Sequence, residues 1–241
     1  MMNLDEFRIV ETKLTKTMTF FLNFFSAYDK HTLTISDHKQ GKSLVMQSVL
    51  KKLIEQNKII SFNFGMQRSM SLEVVQKHIE DNLLKQGGNI VAPPIGKKVI
   101  VWLDDLNLSM SKSKPESLLR NLQVQGGWFS LDKFNFTEVR NALFFMNISI
   151  NEDNVKETKR VLNSLNLDVL AKSTLFKLKK YNYQDFHFVF SEIIRPAVDL
   201  VNPEHDEHLL YVLSKRFAKL IYFNRDSRQK LTNSYYANLD L

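Results

Sequence analysis

The run Lys98-Val99-Ile100-Val101-Trp102-Leu103 is almost continuously apolar and ends at two carboxylates, Asp104-Asp105. A half-buried strand would alternate, so this run reads as a strand covered on both faces, as in a parallel sheet with helices on either side. A second marker lies about sixty residues upstream. There the short strand Thr32 to Ile35 leads into Ser36-Asp37-His38-Lys39-Gln40-Gly41-Lys42-Ser43. Leu44 to Gln56 follows as a helix with Leu44, Val49, Leu50, Leu53 and Ile54 on one face. Strand, loop, helix is the setting in which Gly-Lys-Ser holds phosphate. Backbone N–H groups wrap the oxygens, the lysine neutralises them and the hydroxyl binds magnesium. Carboxylates at the end of a neighbouring strand complete such a site by holding magnesium and orienting the attacking water.

The rest of the chain alternates in the same way. Phe7 to Tyr28 reads as a helix, Lys58 to Phe64 as a strand, and Ser71 caps a helix running to about Gln86 with Leu72, Val75, Ile79 and Leu83 inward and Gly87-Gly88 as its stop. Pro115 and Gly126-Gly127 delimit a short helix carrying Leu118, Leu119 and Leu122. Ala142 to Ile150 is a further buried strand, Val155 to Leu165 a helix, Thr174 to Leu178 a fifth strand, and Gln184 to Val201 and Pro203 to Phe223 two closing helices. The expectation is an α/β fold with a parallel five-stranded sheet flanked by helices and a small C-terminal helical lid. Residues 1–195 are expected to form the core, 196–225 the lid and 226–241 a polar tail.

Composition narrows the function classes. The chain contains no cysteine, which excludes disulfides, thiolate metal sites and cysteine nucleophiles. Met18 to Ala27 is apolar but short and includes Asn23, whereas a membrane helix needs about 20 residues. The first residues include Asp5 and Glu6 and lack a signal-peptide pattern, so a cytoplasmic protein without a membrane partner is expected. A net charge of +7 favours an acidic partner, such as a microtubule surface, nucleic acid or anionic lipid, or is simply a solvated basic surface. Lys51-Lys52, Lys97-Lys98 and Lys177 to Lys180 are dispersed and accompany no nucleic-acid reader motif. The histidines His31, His38, His78, His187, His205 and His208 form no convincing metal set, and Trp102 and Trp128 read as core.

Several ordered segments carry a more specific signal: Pro93-Pro94-Ile95-Gly96-Lys97-Lys98, the Asp104-Asp105-Leu106-Asn107-Leu108 strand end, Ser117-Leu118-Leu119-Arg120, and Gly126-Gly127-Trp128-Phe129. Ile60-Ser61-Phe62-Asn63-Phe64 and Phe144-Phe145-Met146-Asn147 add to them. Over roughly residues 7–195 the chain resembles an AAA+ module of a dynein heavy chain, most closely the third. That family has a proline pair, Gly-Lys-Lys, Asp-Asp-Leu-Asn-Met-Pro, Leu-Leu-Arg and Gly-Gly-Trp-Tyr in the corresponding order. The resemblance implies that Gly41, Lys42 and Ser43 bind phosphate, that Ser43 and Asp104 stand on the magnesium side, that Asp105 lies beside the water, and that Asn147 is a sensor.

The chain also departs from the pattern. The family loop is close to Gly-Pro-Thr-Gly-Thr-Gly-Lys-Ser, and here Ser36 and Lys39 replace two glycines, with Asp37 adding a charge that repels triphosphate and Lys39 one of opposite sign that can offset it. After the sensor strand, where the family has glycines and then an arginine that completes a neighbour's pocket, this chain has Asn151-Glu152-Asp153-Asn154; Arg160 has a different setting. A dynein motor joins six modules with a linker and a stalk, which 241 residues do not hold. The expectation is a non-motor, catalytically inactive structural or docking subunit of a ciliary axoneme or other microtubule assembly, with tubulin or other subunits as partners. The alternative is a nucleotide-binding switch or weak ATPase. ATP or ADP with magnesium and no cofactor at all both stay open.

Overall fold

A computed structural model describes residues 9–37, 40–67, 70, 72–108, 116–130, 134–150, 155–165, 167–201 and 207–237. It divides into two compact units, 17–178 and the pair of segments 1–16 and 179–241. The helix α1 (Lys13–Ala27) runs through the boundary between them.

The larger unit contains strands β1 (His31–Asp37), β2 (Ile59–Gly65), β3 (Leu84–Lys85), β4 (Ile90–Ala92), β5 (Lys98–Asp104), β6 (Gly127–Phe129), β7 (Phe136–Val139), β8 (Ala142–Ile150) and β9 (Ser173–Lys177). Its helices are α2 (Lys42–Glu55), α3 (Leu72–Asn82), α4 (Glu116–Arg120), α5 (Val155–Ser164) and α6 (Leu167–Lys172). Five strands form one parallel sheet in the order β2-β5-β8-β1-β9. Burial follows this order: β5, β8 and β1 are buried almost throughout, while the edge strands β2 and β9 expose residues. The continuous apolar runs at 98–103 and 142–150 are therefore the inner strands, as a sheet covered on both faces requires.

One face carries Leu33, Ile35, Val99, Val101, Leu103, Phe144, Met146, Ile148 and Ile150, in a core shared with Val75 and Ile79 of α3 and Leu118 and Leu119 of α4. The inward side of α2 is Lys42, Val45, Met46, Val49, Leu50 and Leu53. This differs from the sequence expectation, because Leu44 and Ile54 are 44% and 45% exposed. The series 42, 45, 46, 49, 50, 53 keeps a strict helical stripe, and Leu44 and Ile54 fall beside it.

A second, small sheet, β3-β4-β7-β6, was not apparent from the sequence. The α3 helix stops at Asn82, short of the expected Gln86, because Leu84-Lys85 pairs antiparallel with Val91-Ala92. Gly87-Gly88 therefore turns a hairpin rather than ending a helix. Gly126 and Gly127 have separate tasks. Gly126 closes the π-helical turn Asn121–Gln125 that follows α4. Gly127 lies so close to β7 that a Cβ would stand 2.1 Å from the Thr137 carbonyl oxygen. Gly127→Ala is expected to cost about 2–3 kcal/mol, a typical overpacking penalty, measurable as a lower urea midpoint.

In the smaller unit α7 (Tyr183–Val201) and α8 (Glu207–Ala237) form a hairpin. Leu210, Ser214 and Ala218 are buried at four-residue spacing, and the Ser214 hydroxyl meets His187 Nε2 at 3.1 Å. Phe190 stacks on Phe217, and the Tyr183 and Tyr222 rings meet edge to face. The expected boundary at 195/196 falls inside α7. The expected polar tail from 226 continues α8 as far as Ala237, since Arg228, Gln229, Lys230 and Leu231 are good helix formers whatever their polarity.

Candidate nucleotide site

The C-terminal ends of β1, β5 and β8 lie side by side, which is where open α/β sheets place their ligands. Register does the placing. Thr34 stands opposite Asn147 and Ser36 opposite Ser149, while Leu103 opposite Met146 brings Asp104 to the level of Asn147.

Gly41 caps α2 with φ 74°, a left-handed conformation that glycine adopts without cost, and among the described residues no side chain caps this helix end. The first intrahelical bond runs from the Val45 N–H to the Gly41 carbonyl at 3.1 Å, so the N–H groups of Lys42, Ser43 and Leu44 lack helical partners and present a partial positive charge. A cavity of about 600 Å³ opens here, lined by Gln40, Gly41, Lys42, Ser43, Leu44, Asp105 and Ser149.

The expected site residues converge. Ser43 Oγ donates to Asp104 Oδ2 at 2.6 Å, and Asn147 Nδ2 donates to Asp104 Oδ1 at 3.0 Å, so Asp104 is held from both sides. Lys42 is buried, and its ammonium donates to the Asp37 carbonyl oxygen at 3.2 Å and to Ser149 Oγ at 3.0 Å. Burial lowers the Lys42 pKa, against the opposing pull of Asp105, Asp104 and Asp37. Among the described residues, one ammonium thus lies in the field of three carboxylates.

The sequence did not single out Ser149. Its hydroxyl donates to Asp105 Oδ1 at 2.8 Å, and its backbone N–H donates to Asn107 Oδ1 at 3.1 Å. The available signal was strand period: Ser149 is two residues beyond Asn147 on β8 and shares its face. Asp105 itself has φ 52°, a left-handed conformation that aspartate tolerates better than most residues.

The lost loop glycines look different in three dimensions. Ser36 is the penultimate residue of β1 and has no positive φ, so glycine's freedom is not needed there. Its hydroxyl donates to the Asp37 carbonyl oxygen at 2.9 Å. His38, Lys39 and Asn151 to Asn154 lie outside the described residues, and Arg160 is an exposed residue of α5.

The residues present fit a nucleotide with magnesium: uncapped N–H groups at a helix start, a lysine, and a serine hydroxyl paired with a carboxylate border one cavity of ligand size.

Comparison with known proteins agrees with this geometry. A family described as "P-loop containing dynein motor region" matches residues 5–168. Dynein axonemal heavy chain 12 from Homo sapiens is 29% identical over 127 residues, an alignment covering 51% of this chain and 4% of that protein. Dynein axonemal heavy chain 1 from Mus musculus is 30% identical over 125 residues, covering 50% of this chain and 3% of its own length. Among solved structures, the Aeropyrum pernix ORC2 protein, in ADPNP and ADP complexes, superimposes with a TM-score of 0.55 at 14% identity, covering 79% of this chain and 54% of that one. That likeness speaks for the fold alone. Because the family match spans more than half of the chain, on a sheet whose strand ends bring Lys42, Ser43, Asp104 and Asn147 together, this protein belongs to the dynein motor P-loop family.

Proposed function

We propose that this chain is a non-motor, catalytically inactive dynein-like AAA+ module that serves as a structural or docking subunit of a microtubule-associated assembly, most naturally a ciliary axoneme. The observation that carries the inactive reading is the charge of the site. A triphosphate brings several negative charges, and among the described residues of the site one buried ammonium, already bonded inward, meets the opposing charge of Asp105, Asp104 and Asp37. The absence of an arginine from 151–154, where the family places its finger, removes a further source of transition-state stabilisation. Relatives named as axonemal dynein heavy chains support the axonemal setting, and the net charge of +7 suits an acidic microtubule surface. In this role α7 and α8 act as the remnant of a lid. Purified protein is expected to co-sediment with microtubules or axonemal fractions in a salt-sensitive manner while showing no ATP turnover above buffer. Failure to sediment at low salt, or turnover abolished by Asp105→Asn, would overturn this reading.

A second reading is favoured by the Ser43–Asp104 pair and the adjoining cavity: a module that holds ATP or ADP with magnesium as a switch. In it Lys42 and the first N–H groups of α2 bind phosphate, and Ser43 and Asp104 hold the metal. Bound magnesium would supply the positive charge that the three carboxylates otherwise deny to the phosphates. Calorimetry with Mg-ATP is expected to show heat for the parent protein, none without magnesium and none for Lys42→Ala. Equal heats with and without Lys42 would place any nucleotide elsewhere.

A further inference from the structure

Ser149 joins two groups that the phosphate-site motif treats separately. A hydroxyl has one proton and two lone pairs. At Ser149 the proton goes to Asp105 Oδ1 at 2.8 Å, so a lone pair is left for the Lys42 ammonium at 3.0 Å. The residue has little freedom to turn away. It is 7% exposed, and its backbone N–H is fixed by Asn107 Oδ1 at 3.1 Å, from the turn that directly follows Asp105. Lys42, Asp105 and Ser149 all border the cavity beside the start of α2.

We propose that Ser149 is a positioning residue that competes with a nucleotide phosphate for the Lys42 ammonium and couples that lysine to Asp105. The proposal rests on the nucleotide-holding reading of this site and adds its regulation. A phosphate at the start of α2 gains the lysine only by drawing it from a bonded hydroxyl, which raises the concentration of nucleotide needed. The same movement removes the cationic partner on the other side of the Asp105–Ser149 bond, so phosphate occupancy is passed to the carboxylate beside the reacting position. Neither effect requires a change in backbone.

The test uses the full chain in four forms: parent, Ser149→Ala, Ser149→Cys and Ser149→Thr. Alanine removes the hydroxyl, cysteine keeps the size with a much weaker hydrogen-bonding group, and threonine keeps the hydroxyl on a strand-compatible side chain. The first readout needs no nucleotide: acylation of Lys42 by an amine-reactive ester at one fixed pH, followed by peptide mass spectrometry. The second is the affinity for Mg-ATP and Mg-ADP by calorimetry. Ser149→Ala and Ser149→Cys are expected to label several-fold faster at Lys42 and to bind nucleotide roughly tenfold tighter, the scale of one hydrogen bond to a charged group. Ser149→Thr is expected to stay near the parent in both readouts. A purely structural role for Ser149 would leave Lys42 labelling in step with that of other lysines and would weaken binding. Unchanged Lys42 labelling in both the alanine and cysteine forms, or weaker binding in both, overturns the proposal. Faster Lys42 labelling with no nucleotide heat in any form would keep the tether and remove the nucleotide-holding reading. The cysteine form keeps the experiment decisive if the alanine form does not fold.

Discussion

Trp128→Ala is expected to lower the unfolding free energy of the 17–178 unit by about 4 kcal/mol, the usual cost of emptying a buried aromatic site. Trp128 is 1% exposed and lies in the main core with Leu118, Leu122 and Val139. Its indole N–H donates to the Glu80 carboxylate, which also accepts from Gln76 Nε2 at 2.9 Å, while the Gln76 amide donates to the Phe129 carbonyl oxygen at 2.7 Å. The ring therefore fills volume, and its nitrogen ties β6 to α3. The two contributions can be separated. Trp128→Phe keeps most of the apolar area and removes the donor, so it is expected to cost about 1–2 kcal/mol, one hydrogen bond to a charged group. A domain of this size has about 5–15 kcal/mol in total, so the alanine form should approach its unfolding midpoint in mild urea. Urea titrations followed by circular dichroism provide the check. A midpoint unchanged in Trp128→Ala but with lost partner or nucleotide binding would make Trp128 a ligand platform instead of core.

The inner strands were legible because burial on two faces leaves a mark that survives without any alignment. The expected Ala142 to Ile150 coincides with β8, and β5 differs from the expected Lys98 to Leu103 only by including Asp104. The second sheet left no such mark. Its strands are two to four residues long, and Leu84 and Lys85 are both exposed, so no period of two can build up. Glycine pairs were ambiguous for a physical reason: the same conformational freedom ends a helix at Gly126 and turns a hairpin at Gly87-Gly88.

The site divides along similar lines. Lys42, Ser43, Asp104 and Asn147 could be placed because each sits at a fixed offset from a strand end. Ser149 is marked only by strand period, two residues beyond Asn147, and its partner Lys42 is 107 residues away in sequence. Glycine loss at Ser36 suggests lost backbone freedom in the sequence, but Ser36 lies in β1 without a positive φ and does not need that freedom. The departure at the site lies in charge rather than backbone freedom, since burial lowers the Lys42 pKa against the pull of Asp105, Asp104 and Asp37, and of these the sequence singled out only Asp37 as a charge beside the phosphates.

Acidification provides the second large effect, at the far end of the same strands. His31 opens β1 and its Nδ1 accepts the Phe144 N–H at 3.0 Å, which fixes the neutral ring with its proton on Nε2. Burial pushes its pKa from 6.5 down to about 4. Between those values the unfolded chain binds the proton more readily than the folded one. Stability is therefore complete above pH 6.5, declines as the pH falls through that value, and levels off below about 4. The full window is worth about 3 kcal/mol at 1.36 kcal/mol per unit, as an upper figure for a partly exposed ring. Carboxylates titrate nearby in pH, so the measurement is a difference. His31→Gln offers an amide oxygen to the Phe144 N–H without titrating, and its unfolding free energy is expected to be flatter than the parent's between pH 6.5 and 4. Parallel profiles for the two proteins would show that His31 does not carry the effect. The consequence reaches the site through the sheet, because β8 passes His31 at Phe144 and carries Asn147 and Ser149 further along, and β1 ends with the carbonyl that holds Lys42. Any nucleotide or partner binding that depends on those strand ends should fail on the same acid slope as folding, and recover with it in His31→Gln.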